Sequence, residues 1–369
     1  MQLKPELQNI QSHFLFDGEF IRAEPYGSGH INDTYAAKFR KADGCTHRYI
    51  LHRVNHFVFK KPEELLANIS AVTAHLRRKI IEAGGNPERE ALTLIPCHNG
   101  EFFYRSDTGN YWRAYHFIEN ASTYQIPESS QHVYNAARAY GKFQQMLSDF
   151  PAAQLHETIP GFHNTAQRFK KFIRVVEEDP CNRAIDVQDE ITFIKQRADQ
   201  ASILVDLIEE GKLPIRVTHN DTKFNNVMID DETGDGICVV DLDTVMPGSL
   251  LYDFGDAIRS ITNTADEDER NLSRVHFSLE TFENYARGYL DTTLDTLSPT
   301  EIQFLAFSAR LMTLECGLRF LNDYLVGDLY FRTKREHHNL DRCRTQFKLV
   351  EEMEGNFDKM EGIIQNNLV

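Results

Sequence analysis

Residues 217–227 read VTHNDTKFNNV, and residues 237–243 read ICVVDLD. The first run places an acid, a cation and an amide in a polar loop between two short apolar strands, and such loops commonly carry catalytic side chains. The second run is the far strand of a hairpin, and it ends in Asp241 and Asp243. Period-two alternation directs these two carboxylates to the same side. This stretch therefore predicts a catalytic loop beside a pair of acids.

The spacing within the loop narrows the chemistry. Asp221, Lys223 and Asn226 stand at the offsets at which a kinase catalytic loop carries its base, its phosphate-facing lysine and its metal-binding asparagine. After the hairpin, Asp241 occupies the place of the main metal ligand. Amide and carboxylate oxygens suit Mg²⁺ shared with phosphates. A polar turn with a solvated hairpin explains any one of these residues, but it does not explain the set. We predict an ATP-dependent phosphotransferase with Asp221 and Lys223 catalytic and with Asn226 and Asp241 on Mg²⁺.

The composition argues against several other functions. The 369 residues include 40 Lys and Arg against 55 Asp and Glu, a formal net charge of −15, so no basic surface for nucleic acid or for an anionic membrane is expected. Apolar runs such as 237–240 are too short to cross a bilayer, and the amino terminus lacks the apolar core of a signal peptide. The six cysteines have no metal-binding spacing. We expect a cytoplasmic protein that acts on a small molecule, with no obligate protein partner evident.

The pattern along the chain predicts two lobes. The first third alternates short strands with turns, including strands over 34–39, 48–54, 92–95 and 111–118. One helix is expected over 62–82, because Pro62 and two acids open it and two glycines follow it. After residue 127 the character is helical, apart from the β-rich catalytic insert. We therefore predict an α+β, bilobal, protein-kinase-like fold. Its small antiparallel β lobe carries one helix and spans 1–120, and its larger, mainly helical lobe spans 121–369.

The motifs resemble those of the aminoglycoside phosphotransferase and choline kinase-like family. That family is marked by a His-x-Asp-x-x-x-x-Asn loop, here from His219 to Asn226, and by an apolar strand ending in an aspartate, here Asp241. Asn220 departs from the glycine that is common in the loop, and Asp-Leu-Asp replaces the Asp-Phe-Gly of protein kinases. Within the family, the runs most similar to N-acetylhexosamine 1-kinases lie at 27–35, 50–55, 240–248, 252–259 and 327–331. The resemblance implies phosphorylation of the anomeric hydroxyl of N-acetylglucosamine or N-acetylgalactosamine.

The kinase architecture and the resemblance supply further candidates. A glycine-containing hairpin before the second strand would cover the ATP phosphates, although glycines there also serve simply to turn the chain. An arginine on the third strand would meet phosphates, although a solvated strand arginine is the alternative. The nucleotide candidates are Gly27, Gly29, Thr34, Arg53 and Glu119. The sugar candidates are His30, Asn32, Asp33, Arg319 and Tyr330.

Several alternatives stay open at this point. Arg319 could instead form a surface pair with Glu315, four residues before it on a helix. Asp253 is expected to brace the catalytic loop, and Asp256 is expected in the first turn of a helix. The acceptor could be an aminoglycoside, choline or homoserine, for which the acidic run 266–269 is a conceivable binding site, although we interpret it as solvated. A non-catalytic, ATP-binding pseudokinase is the remaining alternative.

Overall fold

The small lobe is built on a five-stranded antiparallel sheet. The computed structural model describes residues 5–27 and 31–368. The strands follow the spatial order β1-β2-β3-β5-β4, and three helices accompany them, of which the longest is the predicted one. The strands are β1 (Glu19–Pro25), β2 (Asp33–Arg40), β3 (Thr46–Val54), β4 (Tyr104–Arg105) and β5 (Tyr111–His116), and the helices are α1 (Pro5–Gln11), α2 (Pro62–Glu82) and α3 (Pro87–Glu90).

The sequence rules for α2 hold in detail. Pro62 occupies its first position, Glu63 and Glu64 lie in its first turn, and Gly84 just beyond its end has φ +78°. The strand predicted over 92–95 is wrong. Only Leu94 makes a bridge there, to Tyr115 of β5. The pairing goes no further because the next backbone N–H beyond Ile95, that of Cys97, donates to the carbonyl of Glu101 instead of to β5.

The two faces of this sheet bury different cores. Tyr49 and Leu51 of β3 pack with α1 on one face. Val54 packs with α2 on the other face, where Ile50 joins it. Because strand side chains alternate, every odd-numbered position of β3 from Tyr49 to Arg53 points away from α2. A charged side chain of β3 can therefore face the large lobe only from an even-numbered position, on the side of α2.

The large lobe combines nine helices with two small sheets in its described residues. The helices are α4 (Ser130–Met146), α5 (Thr165–Glu178), α6 (Gln188–Lys195), α7 (Ile203–Glu209), α8 (Leu250–Ile261), α9 (Leu279–Thr293), α10 (Pro299–Leu325), α11 (His338–Gly355) and α12 (Phe357–Asn366). The strands are β6 (Ala121–Ser122), β7 (Arg216–Thr218), β8 (Val227–Asp230), β9 (Gly236–Val239) and β10 (Met246–Gly248). The predicted boundary at residue 120 falls between β5 and β6 and stays a prediction. No described helix combines the length and the apolar character that a membrane span requires.

Two strand pairings assemble the site. Antiparallel β7 and β10 pair Thr218 with Met246, so the loop after β7 lies against the segment before β10. In the β8–β9 hairpin, Val227 pairs with Val239. The backbone N–H of Val240 then donates to the carbonyl of Asn226 at 2.9 Å. The loop and the aspartates after β9 are therefore neighbours, as the predicted catalytic insert requires.

Candidate active site

The catalytic loop begins with a buried histidine that fixes its path. The Nε2 of His219 lies 2.8 Å from the carbonyl oxygen of Val240, and its Nδ1 lies 3.2 Å from the backbone N–H of Asp221. A carbonyl only accepts and an N–H only donates, so Nε2 carries the proton. His219 thus ties the start of the loop to the strand that precedes Asp241.

A second buried residue braces the same loop, as predicted. The carboxylate of Asp253, in the first turn of α8, accepts the backbone N–H of His219 at 2.8 Å and that of Asn220 at 2.7 Å. Asn220 has φ +63°, a left-handed conformation that asparagine tolerates better than most residues. This backbone geometry accounts for the departure from glycine at that position.

The predicted catalytic side chains converge. The Nζ of Lys223 lies 2.8 Å from one carboxylate oxygen of Asp221. The side-chain amide of Asn226 donates to the backbone carbonyl of Asp221 at 2.8 Å and to its other carboxylate oxygen at 3.2 Å. The carboxylate of Asp221 raises the pKa of Lys223, so the lysine stays charged. An oriented carboxylate held between a cation and an amide is suited to accept a proton.

Negative charge accumulates next to this loop. Asp241 has φ +60°, and within the described part of the chain its carboxylate has no hydrogen-bond or ion-pair partner. The surrounding protein, Asp243 and Asp221 together raise its pKa to about 6. A divalent cation shared with phosphates would relieve this repulsion, and the oxygens of Asp241 and Asn226 fit Mg²⁺. Among the described residues no cluster of three His, Cys, Asp or Glu could hold a metal alone, so phosphate oxygens would have to complete the shell.

The small-lobe candidates divide between the two faces of the sheet. Thr34 lies opposite His52 on the face of α2. Arg53 lies on the other face and forms an ion pair with Asp33 on the neighbouring strand. Gly27 has φ +79°, and a Cβ there would meet nothing within 4 Å, so backbone conformation alone explains that glycine. Gly29 and His30 lie outside the described residues.

Two other candidates already have partners. The side-chain oxygen of Asn32 accepts the backbone N–H of Asn55 at 2.8 Å, and its amide donates to Asp243 at 2.6 Å. Glu119 pairs with Arg48, whose guanidinium carbon lies 3.6 Å from the centre of the Phe117 ring. The nucleotide and sugar roles of both residues stay predictions.

The predicted sugar contacts of the large lobe form a separate group beside α10. The Arg319 guanidinium lies between the rings of Phe162 and Phe331, at 5.4 and 5.5 Å. Burial lowers the pKa of Arg319, but Cys316, Tyr330, Glu315 and Asp256 together outweigh burial, so the net effect is a raised pKa. Asp256 also accepts the backbone N–H of Thr222 at 3.2 Å. This contact connects the group to the catalytic loop.

Comparison with known proteins agrees with this geometry. The model of the phosphotransferase enzyme family matches residues 22–296, well over half of the chain. This chain belongs to that family. The phosphotransferase is therefore an enzyme of the class that acts on hydroxyl acceptors. A pseudokinase is disfavoured because the predicted base and both predicted metal-binding residues are present and lie in neighbouring segments.

Solved structures show the same fold at low identity. An aminoglycoside phosphotransferase from Alicyclobacillus acidocaldarius is 12% identical with a TM-score of 0.62, covering 99% of this chain and 98% of that one. A microcompartment-associated aminopropanol kinase is 13% identical with a TM-score of 0.60, covering 96% and 98%. An amicoumacin kinase in complex with AMP-PNP and Ca²⁺ is 13% identical with a TM-score of 0.57, covering 95% and 92%. The bilobal kinase-like fold is confirmed.

Two expectations for residues of α8 and α10 are wrong. Glu315 does not form a surface pair with Arg319, because it is buried beneath His163, whose Nδ1 lies 2.9 Å away. His163 and Arg168 outweigh burial and lower its pKa to about 2. Asp256 does not lie in the first turn of α8, because that helix begins at Leu250.

The acidic run 266–269 is not simply solvated. The carboxylate of Asp268 lies 2.7 Å from Nε2 of His338, which is buried. Glu267 pairs with Arg259 at 3.6 Å, and Glu269 with Arg274 at 3.7 Å. Three of the four carboxylates in this run, those of Glu267, Asp268 and Glu269, are therefore paired with arginines of the protein itself.

Sequence reasoning missed one charged residue of this phosphotransferase. Arg113 of β5 is 1% exposed and forms an ion pair with Asp243 at 2.5 Å. The side chain of Arg113 faces the large lobe, whereas Arg53 lies on the opposite face of the sheet. The available signal was a lone arginine inside the aromatic run 111–117, since buried arginines almost always have a partner.

Proposed function

We propose that this phosphotransferase transfers the γ-phosphoryl group of ATP to the anomeric hydroxyl of an N-acetylhexosamine. The observation that carries the proposal is the Asp221 carboxylate, held by Lys223 and Asn226 beside the unpaired carboxylate of Asp241. The AMP-PNP and Ca²⁺ in the amicoumacin kinase support a nucleoside triphosphate with a divalent cation here.

The residues divide the chemistry as follows. Asp221 orients the acceptor hydroxyl and takes its proton as that oxygen bonds to the γ-phosphorus and the bridging bond to ADP breaks. Lys223 remains charged and offsets the negative charge that develops on the transferred group. Asn226 and Asp241 would hold Mg²⁺, which neutralises phosphate charge when bound. Most of the acceleration then comes from positioning and electrostatics.

Charge balance on the acceptor side favours a neutral molecule. Asp256 is paired with Arg259 through a 2.9 Å hydrogen bond, and Glu315 with Arg168 at 3.4 Å. Cationic acceptors such as choline or aminoglycosides are better recognised by unmatched carboxylates or an aromatic cage. The carboxylates in this region already have cations, so they leave little net attraction for a cationic acceptor.

Arg319 and Tyr330 supply donors suited to a polyhydroxyl ring. In the described part of the chain, neither the Arg319 guanidinium nor the Tyr330 hydroxyl has a hydrogen-bond partner. Asp323 accepts the backbone N–H groups of Leu329 and Tyr330, at 3.0 and 2.8 Å, and so holds the Tyr330 segment. A planar guanidinium held between two rings can fork to adjacent hydroxyls with little further ordering.

An acceptor panel tests the proposal. ADP release is measured with N-acetylglucosamine, N-acetylgalactosamine, choline, homoserine and kanamycin, and the phosphorylated product is treated with mild acid. We expect an N-acetylhexosamine to give the highest kcat/KM and an acid-labile glycosyl phosphate. Faster turnover of choline or kanamycin would refute the sugar assignment. An acid-stable product would refute the anomeric assignment.

A matched pair of variants on α10 tests the proposed acceptor side. Arg319→Met should raise the acceptor KM by about tenfold or more and leave the ATP KM unchanged, since the loss of a charged hydrogen bond is worth ~1.5–3 kcal/mol. Arg310→Met is the control, because Arg310 also lies against aromatic rings, Phe307 and Phe357. Equal effects of the two variants would remove Arg319 from the site.

A further inference from the structure

A buried ion pair joins the two lobes beside the proposed metal site. The guanidinium of Arg113, on β5 of the small lobe, lies 2.5 Å from one carboxylate oxygen of Asp243, and the two side chains are 1% and 4% exposed. The amide of Asn32, just before β2, donates to the other carboxylate oxygen at 2.6 Å. Both oxygens of Asp243 are therefore engaged by the small lobe.

His52 fixes the orientation of the arginine. It lies opposite Arg113 in the β3–β5 register, and its Nδ1 is 2.9 Å from the same guanidinium nitrogen that meets Asp243. Burial, with Arg113 adding to it, lowers the pKa of His52 to about 3. The ring is thus neutral and free to accept a hydrogen bond from the arginine.

The backbone conformation of Asp241, two residues before Asp243, shows why the ion pair between Arg113 and Asp243 matters for the metal site. Asp241 precedes the short 3₁₀ turn Leu242–Thr244 and has φ +60°. A non-glycine residue in that conformation persists where its surroundings enforce it. Asp243 is the middle residue of the same turn, and it is held there by Arg113 and Asn32. Its anchoring therefore constrains where the Asp241 carboxylate points.

We propose that Arg113 is a positioning residue that, together with Asn32, holds Asp243 and thereby aims Asp241 at the metal–nucleotide complex. Asp243 is in this account a structural carboxylate and not a metal ligand. The inference rests on the metal site of the proposed function. It adds that the small lobe controls that site through β5, and not through Arg53 of β3.

Binding of Mn²⁺ in the presence of ADP, measured by electron paramagnetic resonance on the full chain, tests the proposal. Arg113→Lys keeps the charge but replaces the guanidinium, one nitrogen of which meets both His52 and Asp243, by the ammonium of a shorter side chain. Removing such outer contacts typically weakens metal binding by 10–100-fold, so we expect the Mn²⁺ Kd to rise by about tenfold or more. The Mg²⁺ concentration for half-maximal turnover should rise with it, while the acceptor KM stays the same. Arg22→Lys, an exposed arginine of the same sheet, is the control and should change nothing.

A double-variant cycle separates the explanations. If Arg113 acts through Asp243, Arg113→Lys should cost little more in an Asp243→Asn background. Additive losses would mean that Arg113 contacts the nucleotide directly, and they would overturn the proposal. Loss of Mn²⁺ binding in Asp243→Asn with no change in Arg113→Lys would overturn it as well, by making Asp243 a ligand.

The remaining outcomes are also decisive. If Arg113→Lys does not fold, Asn32→Ala removes the other contact from a half-buried position, and it should weaken Mn²⁺ binding in the same direction. Unchanged binding in the folded variants would refute the positioning role. Wild-type protein that binds no Mn²⁺ with ADP would instead refute the metal site of the proposed function.

Discussion

Replacement of Asp253 by alanine removes the carboxylate that holds the catalytic loop. In the wild type that carboxylate accepts the backbone N–H groups of His219 and Asn220, and the side-chain amide of Gln144. All three donors belong to buried residues. Alanine leaves them without an acceptor and without access to water.

The expected size of the effect follows from those contacts. Each buried donor left unpaired costs ~1–3 kcal/mol. Burial raises the pKa of Asp253, so removing a buried charge returns part of that cost. We expect Asp253→Ala to lower the free energy of unfolding by about 3 kcal/mol, within the ~5–15 kcal/mol of a typical domain. A loop displaced by about 1 Å also costs ~100-fold in turnover.

Urea unfolding and steady-state kinetics measure the two effects. Asp358→Ala is the matched control, because Asp358 also lies in the first turn of a helix, α12, but is exposed. We expect the control to unfold and to turn over like the wild type. An Asp253→Ala protein with wild-type stability and wild-type kcat would refute the bracing argument.

Two further predictions concern charge. Asp221→Asn keeps the shape of the base but removes its affinity for the proton, so kcat should fall by about 100-fold or more. ADP binding, measured by calorimetry, should survive. An active Asp221→Asn protein, or an equal loss of turnover in the exposed control Asp231→Asn, would contradict this prediction. The pKa of Glu315 is lowered in the fold to about 2, so its stabilising contribution is complete above the unfolded pKa near 4.3 and is lost as pH falls towards 2. Urea titrations between pH 5 and 2.5 should therefore show less acid destabilisation in Glu315→Gln than in the wild type, by about 2 kcal/mol. Equal pH dependence of stability in Glu315→Gln and the wild type would contradict the lowered pKa of Glu315.

The catalytic loop was predictable because its chemistry is local. Asp221, Lys223 and Asn226 lie within six residues, and one hairpin brings Asp241 to them, so spacing and strand alternation suffice. The brace by Asp253 was also expected, although its hydrogen bonds to two successive backbone N–H groups were visible only in the structure.

The contributions of the small lobe were not predictable in the same way. Both faces of β3 bury apolar side chains. The hydrophobic pattern therefore does not show whether the odd-numbered or the even-numbered side chains of β3 face the large lobe. Arg53 was therefore expected at the phosphates, although its alternation with Leu51 directs it to the face of α1. Arg113 meets Asp243 across the two lobes, and no spacing rule connects residues that lie so far apart in sequence.

The partners of Glu315 and Arg319 in the large lobe were also not predictable, because they depend on contacts between distant parts of the chain. Glu315 and Arg319 lie one helical turn apart, which is the spacing of a surface pair. That face of α10 is buried instead. Glu315 therefore contacts His163, and Arg319 lies against two aromatic rings. Tertiary packing overrides the helical pattern there.

The identity of the attacking oxygen shows whether the anomeric hydroxyl is the group that is phosphorylated. Two analogues of N-acetylglucosamine, one lacking the anomeric hydroxyl and one lacking the 6-hydroxyl, are compared as acceptors by ADP release, with N-acetylglucosamine itself as the reference. We expect the 6-deoxy analogue to be phosphorylated at a rate near that of the reference and the 1-deoxy analogue not to be phosphorylated. Turnover of the 1-deoxy analogue together with inactivity of the 6-deoxy analogue would contradict this expectation.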